Sequence, residues 1–551
     1  MTHRPTGAAP LGRRAFLRTA AAAGIGVSGA GGLLSACTSS DSGSADNAVR
    51  NTAVKLPAYV PWRGVAPDYP GTAQGLLNGF ARYPANPART IAAPPAHGGS
   101  ISAFVETGSP IPPGMKSNPY WQVLNQRVGA KLDLTIVPAA DLSTKFATLM
   151  AGGDLPDFMV PPLPPLAGVR GLPQFLAAKC QDLTPFLSGD AVKEYPYLAN
   201  ITTDAWRACV FDGGIYGLPV SRGVAGSLMF YRADLFEQFG VNPAPTSYAE
   251  FRTLCKDVTD AKKSRWALVT PGSAMAFVAQ MLGVPNGWKA EGGKLTNAFE
   301  DERYKQTLSE VRQMVKAGVI HPDGFDPAAP WKQWFNAGNG LMGEDRYTAW
   351  PQYYADNVVG PSFRVGGMRP PVFDGGGFAG TWQSPPVNNF TPLKKASTSR
   401  IKELLAVANW LAAPFGTEEY LFRKFGVLGV DYTMDNNNPT PTQAGLTQTV
   451  LGVRYIVDAP DTIFVPGDPE ATKACWDYQK SIIPTSVKDP TVALFSETYS
   501  RTGAVLAQHV ADAANDILTG RKSLSSWDSA VAQWRSAGGD RIRAEFERQL
   551  H

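Results

Sequence analysis

The sequence predicts an α/β protein with two lobes, each a mostly parallel sheet flanked by helices, joined by a hinge. Two regions alternate strands with helices, the first at residues 101–160 and the second after residue 226. Such alternation favours parallel strands joined by right-handed crossovers. The chain has 551 residues, and what remains after an export leader is too long for one hydrophobic core and suits two or three.

The first region begins with the short apolar strand Ile101–Val105. A helix follows, because Asn118 is a favoured N-cap, Pro119 suits the first helical position and Gly129 is a typical helix end. The next elements are a strand at Leu132–Val137, a helix at Leu142–Ala151 and a strand at Asp157–Val160.

The second region contains a strand at Leu228–Tyr231 and a helix that starts at a capping box formed by Ser247 and Glu250. We expect the chain to cross between the lobes near Pro219–Gly226 and again near Gly366–Gly380. Further elements are a helix at Arg303–Ala317, a strand at Gly340–Met342 with Gly343, Glu344 and Asp345 at its end, and helices at Ile401–Ala412 and Trp527–Ser536.

The first 36 residues have the three parts of an export signal peptide. Arg13 and Arg14 are typical of twin-arginine export, and an Ala/Gly-rich run at residues 20–36 ends in Leu-Ser-Ala before Cys37, a pattern like a bacterial lipobox. A membrane-spanning helix is the alternative, but this run falls short of the roughly 20 strongly apolar residues that a span needs. We expect a lipoprotein acylated on Cys37 and anchored to the outer face of the cell membrane.

Charge argues against nucleic-acid binding. The chain has 51 Lys and Arg against 47 Asp and Glu, and four of the arginines lie in the leader, which contains no acidic residue. The exported part therefore balances 47 basic against 47 acidic residues, so no basic surface is expected to follow a phosphate backbone.

Cysteine and histidine content argues against a metal site and a histidine-based active site. No CxxC pair occurs, so structural zinc is not expected. Cys180 and Cys209 are a conceivable disulfide in an exported protein, but scattered buried thiols are the favoured interpretation. His321 and His509 lie in no HExxH or GxSxG motif. We expect no cofactor and no metal.

Four stretches resemble the extracellular solute-binding proteins of ABC importers, family 1, which are related to maltose-binding proteins. They are MAGGDLPDFMV (Met150–Val160), GGIYGLPVSRGVAGSLMFYRADLFEQFGVNPAPTSYAEF (Gly213–Phe251), FTPLKKASTSRIKELLAVANWLAAP (Phe390–Pro414) and ILTGRKSLSSWDSAVAQWRSAGGDRIRAEFERQL (Ile517–Leu550). The resemblance covers most of residues 100–551. The last stretch, with Phe425–Asn437, is most similar to the oligosaccharide-binding branch that includes alginate- and aldouronate-type binders.

The resemblance implies a type II fold like that of periplasmic binding proteins, with the ligand between two lobes that close about the hinge. The implied organisation is a leader at 1–36, a tether at 37–54, a Pro/Gly-rich extended segment at 55–100, the first part of lobe one at 101–220, lobe two at 221–375, a return to lobe one at 376–435, and a C-terminal helical part at 436–551 that packs mainly on lobe two.

One loop departs from the branch it resembles. Members often have a calcium loop directly after the helix that here ends near Lys256, but in KDVTDAKKSRWAL (Lys256–Leu268) lysines replace the later oxygen ligands. Asp257 and Asp260 remain, yet calcium needs six or more oxygens. We expect no calcium there, and the loss weakens the case for an acidic-sugar specificity carried over from the branch.

A sugar-binding cleft needs flat aromatic faces and planar polar groups. In open α/β sheets these lie at the carboxyl ends of strands and at crossings. Trp382 is the preferred aromatic, although core packing is the alternative for any one Trp, and Arg222 is a candidate for either ligand contact or bracing of the hinge. The candidates are Glu106, Asp154, Ser221, Arg222, Glu344, Asp345, Tyr347, Trp350, Trp382 and Gln383, with Trp331 and Trp334 as alternates.

The favoured function is a monomeric, non-catalytic binding protein that captures a carbohydrate and delivers it to an ABC permease. The first alternative is a secreted lipoprotein glycoside hydrolase in which Glu106 pairs with Glu344 or Asp345. The absence of a recognisable catalytic motif argues against it. The second alternative is a peptide-binding lipoprotein.

Overall fold

The computed structural model describes residues 50–162, 169, 171–355, 357, 359–492 and 494–550. All of these lie in one compact unit of the chain. The predicted leader with Arg13 and Arg14, the lipidation site Cys37 and most of the predicted tether lie outside the described residues. Within those residues, no helix is long and apolar enough to cross a membrane.

The first part of lobe one alternates strands and helices as the sequence predicts. Its elements are β1 (Ser100–Thr107), α1 (Pro119–Val128), β2 (Lys131–Pro138), α2 (Leu142–Ala151), β3 (Phe158–Met159), α3 (Leu172–Lys179), α4 (Thr184–Leu187), α5 (Pro196–Ala199), α6 (Thr203–Arg207), β4 (Val210–Phe211), β5 (Gly214–Ile215) and β6 (Leu218–Ser221). The main sheet has the order β2-β1-β3, and both pairs are parallel.

The local signals at α1 act as predicted. The Asn118 side chain accepts a hydrogen bond from the backbone N–H of Trp121 at 3.0 Å, and Gly129 ends the helix in the left-handed conformation. Tyr120, Leu124 and Val128 are buried and belong to the core of lobe one. The amphipathic face of the helix therefore covers the β1–β2 sheet.

Lobe two follows the first crossing. Its elements are β7 (Ser227–Arg232), α7 (Ala233–Phe239), α8 (Tyr248–Val258), β8 (Trp266–Leu268), α9 (Pro271–Met281), β9 (Trp288–Glu291), β10 (Lys294–Asn297), α10 (Glu302–Lys316), α11 (Trp331–Ala337), β11 (Gly340–Arg346), α12 (Trp350–Ala355) and β12 (Val365–Met368). Ser247 caps α8, but the Glu250 carboxylate accepts from the backbone N–H of Thr246 and not from that of Ser247, so the predicted capping box is not formed.

The main sheet of lobe two is mixed, not mostly parallel as predicted. Its order is β12-β7-β11-β8, and β7 is antiparallel to both of its neighbours, whereas β8 and β11 are parallel. β7 enters directly from the crossing, whereas β8 and β11 each follow a helix that returns the chain to the same edge. Glu344 and Asp345 lie within β11, paired with Met229 and Leu228, and not beyond its end.

The segment that returns to lobe one extends beyond residue 435, the predicted boundary. Asn118 donates through Nδ2 to the carbonyl of Gln448 at 3.0 Å, and Leu451 and Ile456 belong to the lobe-one core. The elements of the return are β13 (Val387–Thr391), α13 (Thr398–Leu411), α14 (Glu418–Phe425), β14 (Tyr432–Asp435), β15 (Asn438–Pro441) and α15 (Gln443–Gln448).

The last four helices pack on lobe two. They are α16 (Pro469–Ile482), α17 (Glu497–Leu518), α18 (Ser526–Trp534) and α19 (Asp540–Glu547). Trp527 and Trp534 lie in the lobe-two core with Leu308 of α10, in agreement with the predicted helix face.

The Pro/Gly-rich segment before β1 lies over the folded body. The ring of Phe80 stacks on Phe415 with centroids 4.2 Å apart, and the Tyr83 hydroxyl donates to the carbonyl of Thr417 at 2.6 Å. Tyr69 packs against Trp476 of α16. The aromatic residues of this segment therefore anchor it to both the lobe-one return and α16.

The described cysteines are free thiols, and all of them are buried. Burial raises the pKa of Cys180 and of Cys475 to about 12. Cys180 and Cys209 therefore do not form the disulfide that the sequence left open.

Candidate functional site

Three chain segments run side by side between the lobes and form the hinge. Residues 221–226 lead from β6 to β7. Residues 383–387 lead back to β13, later than the predicted Gly366–Gly380, because β12 still pairs within the lobe-two sheet. These two crossings are joined by hydrogen bonds such as Arg222 N–H to the Pro386 carbonyl at 2.9 Å. A third crossing, missed by the sequence analysis, begins at Asp458, which bridges Val220 of β6. The carboxyl ends of β1 and β11 both face this hinge.

A cluster of charged side chains lies at this hinge. We call it the hinge cluster, and it consists of Arg222, Arg423, Lys424, Arg454, Asp458 and Asp461. Asp458 accepts from Arg423 at 2.8 Å and from Arg222 at 3.3 Å. The Asp461 carboxylate accepts from the backbone N–H of Gly223 at 2.8 Å, which ties the third crossing to the first.

Glu106 lies at the carboxyl end of β1, next to the hinge cluster. Its side chain is buried, and desolvation raises its pKa against the opposing effect of Arg454, Arg346 and Arg222. Arg454 reaches this end of β1 because Gly452 has a left-handed φ of +79° and lies so close to the Glu106 carbonyl that a Cβ would clash. Lobe one therefore presents a buried carboxyl beside several cations.

Lys424 is one of the four cations of the hinge cluster. Its side chain is exposed to solvent at the carboxyl end of α14, and protein atoms crowd around the ammonium. This desolvation and the repulsion of Arg454 lower the pKa of Lys424 to about 8, against the attraction of Asp458.

Lobe two contributes two carboxyl groups from β11. Burial raises the pKa of Glu344 to about 7, with a hydrogen bond from Ser227 opposing the shift and Asp345 adding to it. Asp345 pairs with Lys332 at 2.7 Å and accepts from the Tyr353 hydroxyl at 3.1 Å. Glu344 therefore holds its proton to a higher pH than an ordinary glutamate.

Trp331 and Arg346 are two further residues at the β11 end of lobe two. The ring of Trp331 packs directly over Gly343, on the face of β11 that Asp345 shares, and is half-buried. Arg346 at the end of β11 donates to Asn388 of β13 at 3.1 Å. The end of β11 therefore touches the lobe-one return across the hinge.

The structure brings together half of the residues that the sequence proposed. Arg222 and Ser221 lie at the first crossing, and the Ser221 carbonyl accepts from the Arg222 guanidinium at 2.7 Å. Glu106, Glu344 and Asp345 lie at the strand ends that face the hinge.

Two proposed residues lie in the core. Trp350 is 1% exposed, between Phe230 and Tyr478, and Tyr347 is 3% exposed, with its hydroxyl donating to the Cys475 carbonyl at 2.8 Å. Both follow β11 in sequence, but the chain turns back into α12, so their rings face the hydrophobic core of lobe two.

Asp154 lies at the opposite edge of the lobe-one sheet. It is exposed in the loop between α2 and β3, where the neighbouring Asp157 accepts from Ser102 at the start of β1. Loops that lead from a helix into a parallel strand reach its amino end, which is the edge away from the hinge.

Trp382 and Gln383 are held by lobe-two partners. The Trp382 indole N–H donates to the Val284 carbonyl at 3.0 Å, and its ring packs against a small apolar cluster around Ala279. The Gln383 side chain donates to the Ser486 hydroxyl at 2.6 Å. Both residues brace the second crossing, and the Trp382 ring remains half-buried.

Sequence reasoning missed Arg423, Lys424, Arg454, Asp458 and Asp461. The available signal was weak: Arg423 and Lys424 end a helix that begins with Glu418 and Glu419, an arrangement that the helix dipole alone favours. The two aspartates lie in a loop without a motif.

The sequence is similar to those of known bacterial proteins. A family model for bacterial extracellular solute-binding proteins matches residues 116–416. Lipoprotein LipO of Bacillus subtilis (strain 168) is 22% identical over 484 residues, which cover 80% of this chain and 90% of LipO. The polygalacturonan/rhamnogalacturonan-binding protein YtcQ of the same organism is 22% identical over 448 residues, covering 77% of this chain and 86% of YtcQ.

The fold is also similar to that of solved structures. The crystal structure of the alginate-binding protein AlgQ2 without calcium ion superposes with a TM-score of 0.61 at 16% identity, covering 83% of this chain and 98% of AlgQ2. This likeness agrees with two α/β lobes joined at a hinge. Because the family model matches more than half of its length, the chain belongs to the bacterial extracellular solute-binding proteins.

Proposed function

We propose that this protein captures a carbohydrate, most simply an oligosaccharide, between its lobes and delivers it to the transmembrane subunits of an ABC permease. The observation that carries the proposal is the convergence of β1 and β11 on the hinge. Glu106 lies there beside Arg454, Arg346 and Arg222, and β11 contributes Glu344 and a half-buried indole, Trp331, that packs on Gly343. Carboxyl groups and guanidinium groups bind sugar hydroxyls, and an aromatic face binds the C–H face of a pyranose. Two of the relatives are named for polysaccharides that they bind.

The export pattern in the sequence supports a location next to such a permease. A twin-arginine leader would carry the chain out of the cytoplasm, and acylation of Cys37 would hold it at the outer face of the cell membrane. The short polar tether that follows would leave a monomeric receptor free to reach the permease. Mass spectrometry of the protein purified from membranes tests the lipid on Cys37.

The function is tested by offering ligands to the exported chain with Cys37→Ser, which keeps it soluble. We expect a rise in melting temperature with one class of oligosaccharide and no product, because ligand that binds the folded state stabilises it. Mass spectrometry of material that co-purifies with the protein identifies the natural ligand. Release of shortened sugars would instead support a hydrolase, and a shift with a peptide pool alone would support a peptide-binding lipoprotein.

Trp331→Ala is expected to weaken oligosaccharide binding by roughly 10- to 100-fold, the usual range for an aromatic anchor in a binding site. Its ring covers Gly343 on the face of β11 that Asp345 shares, and its indole N–H makes no hydrogen bond within the described part of the chain. Isothermal titration calorimetry measures the affinity, and thermal melting of the free protein measures stability.

The matched control is Trp334→Ala on the same helix. The Trp334 ring stacks on His321 with centroids 3.6 Å apart and rings nearly parallel, so its loss should lower stability while affinity stays within about twofold. Equal losses of affinity in both variants would contradict a specific ligand contact of Trp331.

A further inference from the structure

We propose that the ligand carries an acidic group, a carboxylate or a sulfate, and that Lys424 and Arg454 bind this group at the hinge end of the cleft. This inference rests on the proposed function and specifies one chemical feature of the ligand. It is independent of calcium, which the Lys256–Leu268 loop is not expected to bind.

The charges of the hinge cluster do not balance. It contains four cations and two carboxylates. Of the two carboxylates, Asp458 is already shared between Arg423 and Arg222, and Asp461 is occupied by the Gly223 backbone and Arg222. Lys424 and Arg454 are therefore left without an anion of their own.

These two side chains are also the ones open to solvent. Lys424 makes no hydrogen bond or ion pair to the residues that the structure describes. Arg454 donates to the Tyr455 hydroxyl at 2.8 Å and lies over the Tyr455 ring at 4.8 Å, which fixes the guanidinium without neutralising it. Arg423, by contrast, is buried and serves Asp458.

Nearby acidic groups do not neutralise this pair. Glu106 is the closest carboxyl on β1, but burial raises its pKa, so it holds its proton more readily than an ordinary glutamate. Positive charge that is crowded by protein atoms attracts an anion more strongly than the same charge on an open surface. A ligand carboxylate or sulfate would be the missing partner.

Binding of an acidic ligand beside Lys424 is coupled to protonation of this side chain. In the free protein the pKa of Lys424 is lowered to about 8, with Arg454, Arg423 and Arg222 repelling its charge and Asp458 attracting it. An anion bound beside the ammonium raises that pKa, so binding above pH 8 takes up a proton. Affinity for an acidic ligand should therefore fall by up to tenfold per pH unit as pH rises above about 8.

The test compares acidic oligosaccharides with neutral versions of the same chains. The probes are trigalacturonate, trimannuronate, aldotetraouronic acid, each of these after reduction of its carboxyl groups to hydroxymethyl groups, and a sulfated carrageenan tetrasaccharide. Calorimetry at pH 7 and pH 9, in two buffers of different ionisation enthalpy, gives affinity and proton uptake. The protein is the exported chain with Cys37→Ser.

We expect at least one acidic probe to bind, its reduced form to bind roughly 10- to 100-fold more weakly, and Lys424→Gln to lose a similar factor together with the proton uptake at pH 9. Lys316→Gln, on the exposed end of α10, is the control and should change neither. The carboxylate and sulfate probes distinguish the two kinds of acidic group.

Two results would overturn the inference. The first is a reduced probe that binds as tightly as its acidic form. The second is unchanged affinity and proton uptake in Lys424→Gln. If only neutral oligosaccharides bind, the inference of an acidic ligand is wrong and the proposed function stands. If no saccharide binds, acidic or neutral, both the inference and the proposed function are wrong.

Discussion

Replacing Asp458 with alanine is expected to lower the free energy of unfolding by about 3–5 kcal/mol, the range for removing one partner of a buried ion pair. Asp458 accepts from Arg423 at 2.8 Å, and Arg423 is only 5% exposed. The Nε and Nη2 groups of Arg423 have no hydrogen-bond partner among the described residues. Without Asp458, a buried guanidinium charge would lose its counter-ion, and the cost would be that of an unpaired charge in a low dielectric.

Burial alone would raise the pKa of Asp458, but Arg423 and Arg222, followed by Lys424 and Arg454, lower it below its usual value. The stability that this carboxylate contributes is therefore present above its unfolded pKa and is lost as the pH falls through its lower folded pKa. At neutral pH the full effect of the substitution should be visible.

Denaturant unfolding at pH 7 measures the effect, with circular dichroism and tryptophan fluorescence as two probes that must agree before a single free energy is quoted. The double variant Arg423→Met with Asp458→Asn should be more stable than Asp458→Ala alone, because the buried charge of Arg423 is removed with its partner while Arg222 keeps Asp461. A loss below about 1 kcal/mol in Asp458→Ala would show that another group neutralises Arg423.

Local signals predicted much of lobe one because they act within a few residues. Asn118 and Gly129 fix the ends of α1 by hydrogen bonding and backbone conformation, and the structure shows both in these roles. The direction of β7 depends on where the chain enters lobe two, which is a property of the whole fold. The mixed sheet therefore had no local signal.

The residues of the candidate site also divide into those that a local sequence signal indicates and those that only tertiary packing brings together. Glu106, Arg222 and Glu344 were predicted because they lie on or next to strands and crossings, where the sheet edge places them. Lys424 ends a helix, and Asp458 enters the third crossing, so their meeting at the hinge depends on tertiary packing alone. Trp350 is 1% exposed although it follows a strand, because a strand-end position does not determine which way the following helix turns its rings.

Glu344→Gln is expected to remove a pH dependence of stability worth up to about 3 kcal/mol. Burial raises the pKa of Glu344 to about 7, whereas an unfolded glutamate titrates near 4.5. Between these values the folded protein holds a proton that the unfolded chain has released, so stability falls as pH rises from about 4.5 to 7 and stays low above that. Glutamine has no charge to desolvate, and it keeps the shape and a hydrogen-bond donor.

The measurement is the difference in unfolding free energy between Glu344→Gln and the unsubstituted protein from pH 4.5 to pH 8.5. It should be near zero at the acidic end and reach its full value, in favour of the variant, above pH 7. A constant stability difference at every pH would mean that Glu344 is ionised in the folded protein and acts only as an acceptor.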